Sequence, residues 1–223
     1  MQLIQHPDRE ALTLALAQDI ADALGMALNT RDRAVLCLPG GSTPVPVFKA
    51  LAAAPLDWAR VSIVPCDERW VPSDHARSNA RLIRRNLIDE GAGEAELVEL
   101  YAEGLDPDSG AAAAAERVGA LLPLSVLLLG MGEDMHTASL FPGAEGLSAA
   151  LDPAAPAVLP AGAPSAEEPR VTLTLPALLS APEAFLMITG PEKRAALDRA
   201  AGLSPEEAPI RALWKDLIVH YAD

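Results

Sequence analysis

Of the four histidines in this chain, His136 has the surroundings best suited to chemistry. It follows the glycine-bearing stretch Gly130-Met131-Gly132 and stands two residues after Asp134. An imidazole that carries a proton near neutral pH thus has a carboxylate close by to orient it or to fix its loop. A lone histidine is more often structural or exposed, and His6, His75 and His220 are read that way. A second segment, Asp67-Glu68-Arg69, groups two acids and a guanidinium. Asp67 there can hold sugar hydroxyls or move a proton, although such clusters are as often solvated ion-pair networks. The third segment is Pro39-Gly40-Gly41-Ser42-Thr43-Pro44. Its glycines let the backbone turn and approach a ligand, Ser42 and Thr43 offer hydroxyls and helix caps, and Pro44 suits a first helical turn. The free N–H groups of such a helix start suit an anion, while the spacing matches neither the P-loop nor GxGxxG, so nucleotide binding is not supported. Among the basic residues, Arg170 precedes an apolar run and Lys193 opens a helical stretch after Gly190. An arginine grips phosphate bidentately and a lysine as a point charge, and Arg69 is a further candidate.

These segments need a scaffold, and the apolar patterning supplies one. Residues 8–28 carry Leu12, Leu16, Ile20, Ala23 and Leu24 at three- and four-residue steps, which predicts an amphipathic helix. Short apolar runs then alternate with helical patterns: Ala34–Leu38 and a helix from Pro44, Val61–Pro65 and a helix over 78–88, Val126–Leu129 and a short helix from His136. A further helix over 108–122 rests on five consecutive alanines. Strands are expected over 171–175, 185–189 and 217–220, with a helix from Pro191 between the last two. Such alternation predicts an α/β fold, a mostly parallel sheet with helices on both faces. Ligands of these sheets collect where the strands end, which is where the three segments stand. Residues 152–169 contain five prolines among small residues and are read as an exposed loop, a candidate lid. No composition break forces a second domain, so residues 1–223 are read as a single α/β domain.

Composition narrows the partners. Of 223 residues, 31 are acidic and 17 are Lys or Arg, a formal net charge of −14. Nucleic acid and anionic membranes are held by clustered positive charge, so neither is expected as a partner. The longest apolar stretch, around residues 121–131, is broken by Pro123 and falls well short of the ~20 residues a membrane span requires. Two cysteines, Cys37 and Cys66, are too few for a disulfide framework, and no signal segment precedes the first helix; a cytoplasmic enzyme is expected. With no HExxH and no ligand cluster at helical spacing, no metal and no cofactor are expected.

In order, Gly40-Gly41-Ser42-Thr43-Pro44, Asp67-Glu68-Arg69, Ser78-Asn79, the segment from Gly130 through His136-Thr137-Ala138-Ser139-Leu140-Phe141-Pro142, and Arg170-Val171-Thr172-Leu173-Thr174 span about four fifths of the chain. The set closely resembles the 6-phosphogluconolactonase family, cofactor-free hydrolases of the oxidative pentose phosphate pathway. The resemblance implies a Rossmann-like three-layer α/β sandwich, shared with glucosamine-6-phosphate deaminases, and a small sugar-phosphate substrate. Those deaminases carry a glutamate five residues after the matching histidine, where this chain has Phe141, which favours the lactonase. On this basis His136 is the expected general base on water, with Asp134 and Asp67 assisting. Gly40, Gly41, Ser42, Thr43, Arg69, Arg170 and Lys193 are the expected substrate-binding residues. Met135 stands where the family usually has glycine, and its side chain disfavours a positive φ. A deaminase-like sugar-phosphate isomerase and a non-catalytic sugar-phosphate sensor are the rival readings. A monomer or a small homo-oligomer is expected.

Overall fold

The computed structural model describes residues 1–162 and 168–223. Strand β1 (Gln2–Gln5) leads into helix α1 (Arg9–Thr30), which starts where the Asp8 carboxylate accepts the Ala11 amide at 2.8 Å. Its stripe of Leu12, Leu16, Ile20 and Leu24 is fully buried. By length and composition α1 could cross a bilayer, unlike residues 121–131, but here that stripe packs into the protein core.

The remaining elements follow the alternation. They are β2 (Ala34–Leu38), α2 (Val45–Ala52), β3 (Val61–Pro65), β4 (Asp67–Arg69), α3 (Asn79–Ile83) with a π-helical turn at Arg84–Ile88, β5 (Glu96–Leu97), α4 (Pro107–Gly119) and β6 (Val126–Leu129). Then come α5 (Leu147–Leu151), β7 (Val158–Ala161), β8 (Arg170–Leu173), α6 (Leu175–Leu178), β9 (Glu183–Thr189), α7 (Pro191–Ala200) and β10 (Leu217–Ala222). Seven strands form one sheet in the order β1-β10-β9-β6-β2-β3-β5, with every pairing parallel. Its inner strands are buried on both faces. Alternate residues such as Leu36, Ile63 and Leu128 face α1 and α2, while Cys37, Val64 and Leu127 face the opposite layer. This is an α/β sandwich of three layers. From β2 the chain runs outward to β3 and β5, whereas β6, β9 and β10 lie on its other side. The crevice at the carboxyl ends of β2 and β6 is therefore the topological switch point, where open α/β sheets bind ligands.

Four expectations need correction. No helix begins at His136. Met135 and Ala138 have φ of 67° and 50°, the chain turns there instead, and the next helix is α5. Met135 thus adopts the positive φ that its side chain disfavours, because the loop around it is held at several points. Residues 152–169 are not loop throughout: β7 pairs antiparallel with β8, in a second sheet of order β4-β8-β7. Pro160 is tolerated because β7 is an edge strand. The part of that loop reading that falls on residues 163–167 lies outside the described residues. The strand expected over 171–175 is β8, which starts at Arg170 and stops at Leu173, since Thr174 begins α6. Finally, Ser42 and Thr43 do not cap α2, whose N-terminal boundary is Pro44 with no side-chain cap.

His220 is fully buried in β10 under α1. Its Nδ1 lies 3.1 Å from His6 Nε2, the two rings stack, and Asp19 Oδ2 is 3.4 Å from its Nε2. Burial, with a smaller contribution from the His6 charge, pushes its pKa down to about 4. The unfolded chain takes a proton there near the ordinary value of about 6.5, while the folded protein refuses it. The associated stability is complete above about pH 6.5 and is lost as pH falls toward 4, roughly 3 kcal/mol in all. Urea unfolding at pH 7.5 and 4.5 should show this loss, and His220→Phe should flatten it; an unchanged slope would remove His220 as its source.

Candidate active site

The loop after β6 is built to hold one imidazole. Thr137 Oγ1 donates to the Gly130 carbonyl at 2.9 Å, Met135 N to the Gly132 carbonyl at 3.0 Å, and Gly132 N to the His136 carbonyl at 3.0 Å. His136 Nδ1 then sits 2.5 Å from Asp134 Oδ1. A carboxylate only accepts, so Nδ1 carries the proton and Nε2 the free lone pair. Burial pushes the Asp134 carboxyl up, but the hydrogen bond and charge of His136 outweigh it and hold its pKa below the ordinary value. The other ring face packs on Phe141, centroids 4.3 Å apart. Gly132 has to be glycine here, because a methyl group on it would come within 2.1 Å of His136 Nδ1 and 2.3 Å of Asp134 Oδ1.

Strand β4 supplies the opposite wall. It leaves the end of β3 and pairs antiparallel with β8, opposing Asp67 to Thr172 and Arg69 to Arg170. Asp67 is buried and collects donors on both oxygens. Asn79 Nδ2 reaches Oδ1 at 3.1 Å, Ser139 Oγ donates to Oδ2, and Arg170 Nη1 is 3.5 Å from Oδ2. Such a carboxylate is fixed in direction. Arg170 also lies over the Phe141 ring, 5.5 Å from its centroid, so one guanidinium ties the Asp67 wall to the histidine loop. Glu68 faces away from the cavity and does structural work. It accepts the amides of Asn79 at 2.7 Å, Ala80 at 2.8 Å and Arg69 at 2.8 Å, and the Ser78 hydroxyl at 3.0 Å, which pins the start of α3 to β4. Burial raises its pKa, and those four hydrogen bonds oppose the rise.

The segment between β2 and α2 closes the site. Gly41 has φ of 86°, a left-handed conformation natural to glycine. The amides of Gly41, Ser42 and Thr43 have no hydrogen-bond partner among the described residues, and no side chain caps α2. That leaves a run of donors at a helix start, the arrangement that holds an anion. From across the crevice comes Lys193 on the first turn of α7, its Nζ donating to the Met131 carbonyl.

These walls enclose a cavity of about 250 Å³. Of the residues singled out in the sequence, His136, Asp67, Gly40, Gly41, Thr43, Arg69, Arg170 and Lys193 line it. Asp134 stands behind His136 and Ser42 is exposed outside, so neither side chain lines the cavity. Arg69 lines it with part of its guanidinium already committed to the Arg77 carbonyl at 2.6 Å. Three cationic side chains thus meet one anionic wall in a protein of net charge −14, a local field opposite to the global one. Asn79, Ser139 and Gly132 were assigned no role from the sequence, and Glu68, one of the two acids read there as able to orient a sugar or move a proton, does not line the cavity. Ser78-Asn79 and Ser139 lie in the recognised motifs, but their partners are 12 and 72 positions away, so spacing alone could not reveal them.

The family model described as glucosamine-6-phosphate isomerases/6-phosphogluconolactonase matches residues 7–219. A 6-phosphogluconolactonase of Mesorhizobium japonicum is 44% identical over 209 residues, covering 93% of this chain and 87% of its own. One of Pseudomonas putida is 43% identical over 211 residues, covering 94% of this chain and 87% of its own. The crystal structure of a 6-phosphogluconolactonase from Shewanella baltica matches all of this chain and 98% of its own with a TM-score of 0.96, at 32% identity.

Proposed function

The chain belongs to the glucosamine-6-phosphate isomerase/6-phosphogluconolactonase family, and on that footing we propose that it hydrolyses 6-phosphoglucono-δ-lactone to 6-phosphogluconate, with His136 as general base. The observation that carries this reading is the shared cavity: His136, whose Nδ1 is taken by Asp134, and the Gly40, Gly41 and Thr43 turn, which carries unpaired main-chain amides, line the same space. A lactone is an activated ester and asks little more of a protein. Water loses a proton to His136 Nε2 as its oxygen bonds to the lactone carbonyl carbon. The bond from that carbon to the ring oxygen then breaks, and the imidazolium returns the proton to the departing oxygen. Asp134 keeps the ring in the tautomer this needs and steadies its transient charge. Asp67 takes hydroxyl hydrogen bonds from the sugar. The phosphate rests on the amides of residues 41–43, with Lys193, Arg69 and Arg170 supplying charge, so its binding holds the carbonyl in place beside the base.

Phe141 separates this reading from the deaminase one. An apolar ring packed on His136 occupies the position at which the deaminases resembled by the sequence have a glutamate. Two buried free thiols, Cys37 and Cys66, are in keeping with work in the cytoplasm, and we read the chain as a single α/β domain acting as a monomer or small homo-oligomer. The test is hydrolysis of enzymatically generated 6-phosphogluconolactone at slightly acidic pH, where the spontaneous reaction is slow. Turnover well above background is expected. Background rates, with ammonia released from glucosamine 6-phosphate, would move the protein to the deaminases instead.

A further inference from the structure

Ser139 is 2% exposed and does not line the cavity, yet its amide and its hydroxyl are both committed to the short β4–β8 ladder that forms one cavity wall. Its N–H donates to Thr172 Oγ1 at 3.2 Å, and that hydroxyl sends its own proton to the Leu173 carbonyl at 3.0 Å. Ser139 Oγ donates to Asp67 Oδ2. Arg170 Nη1 lies 3.4 Å from the same Oγ and can only donate, which leaves the hydroxyl proton for Asp67. These partners belong together by register. Arg170 and Thr172 stand two residues apart on β8 and share one face, and Asp67 is the cross-strand partner of Thr172. Ser139 sits over that corner, and three residues before it the same loop carries His136. The imidazole and the carboxylate thus come from separate elements, and Ser139 is where the histidine loop is hydrogen-bonded to the ladder. Arg170 Nη1 stands 3.5 Å from Asp67 Oδ2, beyond the ordinary range of a hydrogen bond, so the directional contact on that oxygen is the hydroxyl's.

We propose that Ser139 is a positioning residue for the hydrolysis. Acting through Asp67, its hydroxyl holds the carboxylate at the angle from which it takes the sugar hydroxyls, and so fixes the place of the sugar relative to His136. This rests on the lactonase reading and deepens it. Ser139 itself touches no substrate atom. Its two bonds also separate two roles that a single residue could confuse. Truncation to alanine leaves the main-chain bond to Thr172 in place, so the histidine loop stays tied to β8. What is lost is the donor on Asp67 Oδ2, and a buried acceptor deprived of its donor is costly and turns toward another. A misdirected Asp67 then holds the sugar at the wrong angle, and small errors of placement at a reacting centre are expensive in rate.

The test compares the natural protein, Ser139→Ala, Ser139→Thr, Asp67→Ala and the double variant Ser139→Ala/Asp67→Ala. Each is measured by kcat/KM on 6-phosphogluconolactone, by calorimetric affinity for 6-phosphogluconate and by a melting curve. Ser139→Ala should lower kcat/KM by about 10-fold to 100-fold and weaken product binding, whereas Ser139→Thr keeps the hydroxyl and should return most of both. Once Asp67 is alanine, removing the Ser139 hydroxyl should change either quantity by less than about 2-fold, because the group it acts through is gone. Product affinity gives this comparison even where turnover of the Asp67 variants is too slow to follow. Should the alanine variant fold poorly, Ser139→Cys, a much weaker donor, takes its place in the same comparison. A loss by the same factor with and without Asp67 would overturn the proposal, since Ser139 would then act on the histidine loop by another route. A lower melting temperature with kcat/KM and product affinity intact would overturn it too and leave Ser139 a support for the fold alone. If the natural protein neither hydrolysed the lactone nor bound 6-phosphogluconate, the lactonase reading itself would fall and take this proposal with it.

Discussion

Replacing His136 by alanine should lower kcat on 6-phosphogluconolactone by about 10²–10⁴-fold, the range for loss of a positioned general base, with the affinity for 6-phosphogluconate little changed. The separation follows from where the ring sits. The ring lines the cavity with its Nδ1 taken by Asp134, whereas charge for the phosphate comes from other walls, from Lys193, Arg69 and Arg170. The ring is partly exposed and packs on Phe141, so truncation should affect the fold far less than turnover. Asp134→Asn gives the finer measurement. An amide at that position can donate to Nδ1 and favours the opposite tautomer, with the proton on Nε2, so kcat should fall while KM stays close to its original value. Single-turnover rates and product-binding calorimetry together check both expectations. An unchanged kcat in His136→Ala would remove the imidazole from the mechanism.

How much of this was legible beforehand depended on how local the cause was. The central strands announce themselves because burial on both faces demands unbroken apolar runs, as in Val126–Leu129. Strand β4 does not. Asp67-Glu68-Arg69 has no strand character of its own and extends because β8 offers it a partner. Likewise β1 holds two glutamines in four residues, and β7 contains Pro160; both are strands only through pairing. In the site, the glycine loop and His136 could be read because short motifs after apolar runs are positioned by the sheet itself. The Asp67–Ser139 and Asp67–Asn79 contacts, by contrast, exist only once the chain has folded. The loop at Met135 is a different case. Local preference argued against a positive φ at a methionine, and the surrounding hydrogen bonds, including Ile210 N to the Met135 carbonyl at 3.3 Å, prevail over it.

Arg170 carries the second large effect, and the fold makes that effect different from the one its sequence position suggests. A guanidinium that only gripped phosphate would, on truncation, raise KM and spare kcat. Here Nη1 lies 3.5 Å from Asp67 Oδ2 and 3.4 Å from Ser139 Oγ, with the side chains of Arg170 and Asp67 only 13% and 8% exposed. Arg170→Ala therefore strips a nearly buried carboxylate of its counter-charge, a change that typically destabilises a protein by about 3–5 kcal/mol. The orphaned Asp67 would then be free to turn, which would spoil its hold on the substrate. The expected result is a fall in kcat/KM of about 10²–10³-fold, the equivalent of roughly 3–4 kcal/mol, shared between kcat and KM and accompanied by a lower melting temperature. Lys193→Ala is the contrast. Its Nζ leans on a main-chain carbonyl and has no contact with Asp67, so KM should rise while kcat holds. The coupling can be isolated directly, because once Arg170 is gone Asp67→Asn removes a charge that nothing balances. In the Arg170→Ala background that second substitution should recover part of the lost stability, whereas alone it should be destabilising. If the two substitutions proved additive and Arg170→Ala left kcat intact, the arginine would be a phosphate ligand alone and its pairing with Asp67 would have no energetic consequence.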